Sequence, residues 1–170
     1  MLIRDANTAD LPAILAIHNT NIASSTAIWD TEEVDLAERE AWFASRTADG
    51  MPVLAAEIDG ELAGYASYGQ WRPKSGYRYS VENSVYVDER FHRRGVATAL
   101  LTELISRATT SGRVHAMIAA IETGNSASIV LHERFGFKTV GQMPEVGRKF
   151  DRWMDLTLLQ LTFPTPNAGA

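Results

Sequence analysis

The 170-residue chain has no cysteine, which excludes disulfides, thiolate metal sites and a cysteine nucleophile together. A group transferred by this protein must therefore pass to its acceptor without a cysteinyl intermediate. No apolar run approaches the roughly 20 residues of a membrane span, and Met1-Leu2-Ile3-Arg4-Asp5 reads as a strand rather than a signal peptide. The expectation is a cytoplasmic protein with no membrane partner. Excess base is also missing: 16 Lys and Arg against 21 Asp and Glu give a net charge of −5 and a pI near 5.4, so nucleic acid is not an expected partner. His132-Glu133 lacks a second histidine at zinc-protease spacing, because position 136 is Gly, and no metal is expected.

What remains is a chain with 45% hydrophobic residues, enough for one domain with a substantial core. The domain is expected over residues 1–163, with 164–170 as a frayed tail of proline and small residues. Leu2 to Arg4 reads as a strand. Thr8 or Asp10 caps a helix with Leu11, Ile14, Leu15, His18 and Ile22 on one face, where His18 reads as a packing residue. A second helix is expected to carry Leu36, Glu40, Phe43 and Ala44 on one side and to end near Asp49-Gly50. Strands over Val53–Ile58 and Leu62–Trp71 are joined by the hairpin signal Asp59-Gly60. Later come a strand over Val114–Ile121, a helix over Ser126–Phe135, a short strand over Phe137–Val140 and a closing strand over Trp153–Phe163. Strands gathered early and then alternating with helices predict an α/β fold with a mixed sheet rather than an all-parallel one.

The most informative stretch is Ser84-Val85-Tyr86-Val87-Asp88-Glu89-Arg90-Phe91-His92-Arg93-Arg94-Gly95-Val96-Ala97-Thr98-Ala99-Leu100-Leu101. It reads as a strand, a basic turn around one glycine, and a helix. A helix start leaves backbone N–H groups without intrahelical partners and carries the positive end of the macrodipole, so it favours an anion such as a phosphate. No Walker sequence or Gly-x-Gly-x-x-Gly is present. The spacing His92-Arg93-Arg94-Gly95-Val96-Ala97 resembles the coenzyme A pyrophosphate loop of the GNAT superfamily of N-acetyltransferases, Gln/Arg-x-x-Gly-x-Gly/Ala, with His92 departing from the preferred first residue. Glu122-Thr123-Gly124-Asn125 through Phe135-Gly136-Phe137 resembles that superfamily's later signature, in which an Asn ahead of a helix contacts the pantetheine arm. Asn125 also reads as a plain N-cap.

Glu82 with Val85-Tyr86-Val87, Trp71-Arg72-Pro73, Leu131-His132-Glu133, Gly136-Phe137 and Gly147-Arg148-Lys149-Phe150 through Trp153 and Asp155 resemble the phosphinothricin acetyltransferase group, in particular its methionine sulfoximine and methionine sulfone acetyltransferases. The resemblance runs from Ile3 to Leu161 and includes Thr26-Ala27-Ile28-Trp29. It implies the GNAT fold and acetyl-CoA as co-substrate. Glu82 would then be the general base, and His132, where many members have a proton-donating tyrosine, a second catalytic group on the thiol side. Val85, Tyr86 and Val87 would bond pantetheine through their backbone. Arg93, Arg94, Gly95, Val96, Ala97 and Thr98 would hold the pyrophosphate, with Asn125 and Ser128 as further cofactor contacts. The loop bearing Arg72, Ser75, Gly76, Tyr77 and Arg78 would line the acceptor site beside Glu82, one arginine pairing with a substrate carboxylate. The acceptor implied is the α-amine of phosphinothricin, L-methionine sulfoximine or L-methionine sulfone, attacking the thioester directly. A peptide N-terminus, a polyamine, an aminoglycoside, or a non-catalytic acetyl-CoA-binding module are the alternatives left open. The resemblance also implies a homodimer, for which Trp29, Phe150 and Trp153 are candidate interface aromatics.

Overall fold

The computed structural model describes residues 1–164; the expected tail beyond Pro164 lies outside the described residues. A seven-stranded sheet, in the order β1-β2-β3-β4-β5-β7-β6, carries helices on both faces. The strands are β1 (Leu2–Asp5), β2 (Val53–Ile58), β3 (Glu61–Gln70), β4 (Ser80–Val87), β5 (Ala116–Glu122), β6 (Lys138–Lys149) and β7 (Arg152–Thr162). The helices are α1 (Leu11–Ser24), α2 (Leu36–Ala48), α3 (Val96–Ser111) and α4 (Ser126–Arg134). Every neighbouring pair is antiparallel except β4 and β5, which makes the sheet mixed.

Helices on both faces explain why β2 and β3 read as continuous apolar runs rather than as alternating ones. Val96, Leu100, Leu104 and Ala108 of α3 pack on Leu54, Ala66, Val81 and Met117 on one face. Leu11, Ile14 and Ile17 of α1 pack on Val53 and Tyr65 on the other, with Trp42 and Phe43 of α2 beside them. Asp59 and Gly60 both have positive φ, 53° and 82°, and make the expected tight hairpin.

Two elements depart from expectation. The buried side of α2 is formed by Arg39, Trp42, Phe43 and Arg46, whereas Leu36, Glu40 and Ala44 face outward. The reason is that an arginine stem is apolar and can turn its guanidinium toward polar groups inside. The strand expected to stop at Val140 continues to Lys149 as β6. Pro144 and two glycines argue against a strand there, but β6 is an edge strand with register shifts at Thr139/Gly141 and Met143/Gly147. Edges and bulges are where a sheet accommodates proline and glycine.

Candidate active site

The parallel pairing of β4 and β5 covers only Ser80 with Ala116, Val81 with Met117 and Glu82 with Ile118. Beyond Glu82, β4 stays paired to β3 through Val87, while β5 runs on against β7. The two strands separate, and among the described residues one edge of residues 83–87 is left without a strand partner. Such an edge presents backbone donors and acceptors to anything laid along it.

A cavity of about 720 Å³ opens at this separation. Val85, Tyr86, Val87, Arg93, Gly95, Val96, Ala97, Thr98, Asn125 and Ser128 all line it, so ten of the residues expected to hold the cofactor share one wall system. Arg94 does not line it; its guanidinium lies over the Phe91 ring at 5.3 Å. Gly95, the N-cap of α3, has φ 79° and ψ 6°, and no side chain caps the helix. The left-handed backbone suits glycine, and the first-turn N–H groups of α3 are free of side-chain competitors. Those donors, the open edge of β4 and the cation Arg93 fit a long ligand with an anionic diphosphate at one end. Asn21, Ala27 and Arg134 also line the cavity; they come from segments that only tertiary packing brings here. His92 turns Nε2 to the Val87 carbonyl at 3.2 Å and braces the turn.

A smaller cavity, about 70 Å³, lies deeper in the separation, lined by Asn83, Ser84, Ala119, Glu122, Ala27 and His132 among others. His132 is 3% exposed. Its Nδ1 is 2.8 Å from the Ser128 carbonyl, and its Nε2 is 3.2 Å from the Asn83 amide. A carbonyl only accepts, so Nδ1 carries the proton. Burial holds the ring's pKa below the ordinary histidine value, against the Ser128 bond, which favours the charged form. The structure places Asn83 Oδ1 at Nε2 and leaves Asn83 Nδ2 without a partner among the described residues. Because a neutral ring protonated at Nδ1 offers only a lone pair at Nε2, we assign the amide the other way round, with its NH2 toward the ring.

Glu82 is half-buried at the last paired position, opposite Gly69 of β3. Burial raises its pKa above the ordinary carboxylate value, while Arg72 and then Arg46 pull it back. Arg46 reaches this place from α2 by lying against Gly69, where any Cβ would collide with its guanidinium. Arg46 is the functional candidate that sequence reasoning missed. Of the expected acceptor loop, only Arg72 bears on Glu82. Arg72, Ser75, Gly76, Tyr77 and Arg78 are all exposed, and neither they nor Glu82 line the cavities described above; Arg78 is stacked on Tyr79 at 4.5 Å. Trp29 is half-buried inside its own chain, its ring over Gly147, and so is not an exposed interface residue; Phe150 and Trp153 are exposed.

His18 is the packing residue expected. It is buried, with Nδ1 3.0 Å from the Tyr65 hydroxyl, and desolvation, helped by the nearby Arg39, holds its pKa down to about 4.

A sheet whose one parallel pair parts over a helix N-terminus is the frame of an acyl-CoA-dependent N-acyltransferase, and the sequence profile of the Acetyltransferase (GNAT) family matches residues 14–137: the chain belongs to that family. It is 54% identical over 168 residues, 98% of this chain and 97% of the relative, to the L-methionine sulfoximine/L-methionine sulfone acetyltransferase of Pseudomonas aeruginosa. It is 39% identical to the phosphinothricin N-acetyltransferase of Alcaligenes faecalis, covering 93% of this chain and 80% of that one. Among solved structures, yncA of Salmonella typhimurium, a putative acetyltransferase determined with its cofactor acetyl-CoA, superposes with a TM-score of 0.96 at 45% identity, over 100% of this chain and 98% of that one.

Proposed function

We propose that this enzyme transfers acetyl from acetyl-CoA to the α-amine of a small amino acid analogue of the methionine sulfoximine, methionine sulfone or phosphinothricin type. The reading rests on one observation above all: a half-buried carboxyl, Glu82, stands at the last paired residue before the strands part, flanked by Arg46 and Arg72. The substrates follow the names of the relatives. Acetyl-CoA supplies the activated acyl group, and the chain supplies the rest. In this reading the backbone of Val85 to Val87 holds pantetheine, and Arg93 with the N–H groups from Gly95 to Thr98 holds the diphosphate. Asn125 and Ser128 border the pantetheine arm from α4.

An amino acid arrives largely as its ammonium, and Glu82 takes a proton from it, directly or through water, before nitrogen attacks the thioester carbonyl. The C–S bond then breaks, coenzyme A leaves as the thiolate, and the nitrogen's second proton passes to that thiolate or to solvent. The raised pKa of Glu82 brings it nearer the working range of a base. Arg72 is the loop arginine assigned to the acceptor carboxylate, with Ser75, Gly76, Tyr77 and Arg78 completing the loop around it. His132 serves best as a positioning residue. Both ring nitrogens are engaged, so it fixes the Asn83 amide in the cleft rather than handing a proton to sulfur. We further propose that the protein works as a cytoplasmic homodimer, using the exposed apolar residues of the β6–β7 hairpin.

The test is free-thiol release from acetyl-CoA with these analogues, aminoglycosides, polyamines and peptides side by side. The analogues are expected to turn over, and Glu82→Gln to lower kcat about 100-fold or more. Unchanged turnover in that variant removes Glu82 as the base, and release with an aminoglycoside or peptide alone replaces the acceptor.

A further inference from the structure

We infer that Lys149 and Gly147, on β6, are positioning residues that hold the connection 25–30 in the wall of the cleft where β4 and β5 part. The inference rests on the acyltransferase reading above and assigns the Gly147-Arg148-Lys149 motif a task within it.

The connection leaves α1 at Ser25 and has no helix or strand of its own. Its Ala27 lines both cavities, beside Asn83 and His132 in the deeper one. Backbone without regular pairing is held in place only by what grips it from outside, and three grips are present. The Lys149 ammonium donates to the carbonyls of Ser25 at 3.0 Å and Ile28 at 2.5 Å, bracketing Ala27. The Trp29 ring is seated on Gly147, occupying the space a side chain there would take, while its indole donates to the Thr26 carbonyl within the connection at 3.0 Å. The Thr26 hydroxyl donates to Glu122 at 3.3 Å, tying the connection to the end of β5.

Lys149 is 4% exposed and has no carboxylate partner within ion-pair distance among the described residues. A buried ammonium is a poor choice for packing alone, because a hydrocarbon of the same length would fill the space without the loss of hydration. Its advantage is directional: it satisfies two carbonyls that would otherwise be left unpaired in the wall of the site. Burial lowers the Lys149 pKa, and Asp30, on the same connection, opposes this by favouring the charged form. Neither Lys149 nor Gly147 lines either cavity, so their influence on substrate passes through residues 25–30.

The variants are Lys149→Met, which keeps the stem and removes the donors, Lys149→Arg, which keeps donors and charge, and Gly147→Ala, which displaces the Trp29 ring. Methionine sulfone is the acceptor probe. Lys149→Met and Gly147→Ala are each expected to raise the acceptor KM at least tenfold without lowering the thermal midpoint, and to speed amide hydrogen exchange in residues 25–30. Lys149→Arg is expected to recover part of both effects. The double variant is expected to be little worse than either single one, because both act on one connection. An unchanged acceptor KM and unchanged exchange in Lys149→Met overturn the inference. So does a raised acceptor KM accompanied by a lowered thermal midpoint, which marks general loosening. If the wild type releases no thiol with any acceptor, the function reading fails, and exchange in residues 25–30 still decides the positioning claim.

Discussion

The proposed role of Glu82 as a base requires its pKa to stay between two limits, and its surroundings act on it in opposite directions. Burial pushes the carboxyl up, while Arg72 and Arg46 pull it down. Removing one cation therefore raises the Glu82 pKa further. Arg46→Met is expected to move the acid limb of the pH profile of kcat/KM upward, by roughly half a unit to one unit, with Arg46→Lys moving it less; a profile from pH 5 to 9 checks this. A downward shift or none would show that Glu82 does not set that limb. Arg46 was hidden in the sequence because an arginine seven residues after another on a helix reads as the solvated side. Inward placement of Arg39 and Arg46 follows from the polar groups awaiting them across α2, among them the Tyr65 and His18 pair and Glu82.

At the scale of elements, α1 is fastened to β3 by apolar packing and by one buried polar bond, His18 to Tyr65. The pH dependence of that fastening follows from linkage. His18 titrates near 4 when folded against an ordinary value of 6.5, so the unfolded chain binds the extra proton between those values. The contribution is fully present above about 6.5, declines as pH falls, and is gone below about 4. Urea unfolding at pH 7.5 and 4.5 is expected to show the wild type losing on the order of 2 kcal/mol more than His18→Gln over that interval. Equal losses would rule out His18 as a source of acid sensitivity.

Elements were legible in proportion to how local their causes are. The turn at Asp59-Gly60 and the strand, basic turn and helix around Gly95 are dictated by residues within a few positions of one another. The length of β6 was not, because Pro144 and Gly141 are tolerated only through its edge position and the shifted register against β7. The cavity wall from Val85 to Thr98 could be read in advance, whereas Asn21, Ala27 and Arg134 reach it through folding alone. Arg94 looked equivalent to Arg93 in the sequence. The left-handed backbone at Arg93, φ 60°, sends the two along different directions, one to the cavity and one to Phe91.

For the whole molecule, the question is what meets the far edge of the sheet. Val140, Met143, Val146, Phe150 and Trp153 are all exposed on the β6–β7 hairpin, Trp153 at 60%. Apolar side chains gathered on a single hairpin are a common mark of association, and a closed pair related by a two-fold axis is its simplest form. Light scattering after gel filtration is expected to give twice the chain mass of 18.7 kDa, and Phe150→Glu combined with Trp153→Glu is expected to give the single mass. A wild type that runs at the single mass at all concentrations would leave the hairpin without this role.

The brevity of the one parallel strand pair has a consequence for how such a protein diversifies. In the proposed reading its donor pocket is drawn largely in main-chain amides, which most replacements leave in place, and the acceptor end rests on side chains from α2, β4 and the loop before β4. New amines can accordingly be recruited by altering a few outlying positions while the machinery that grips the thioester is inherited intact.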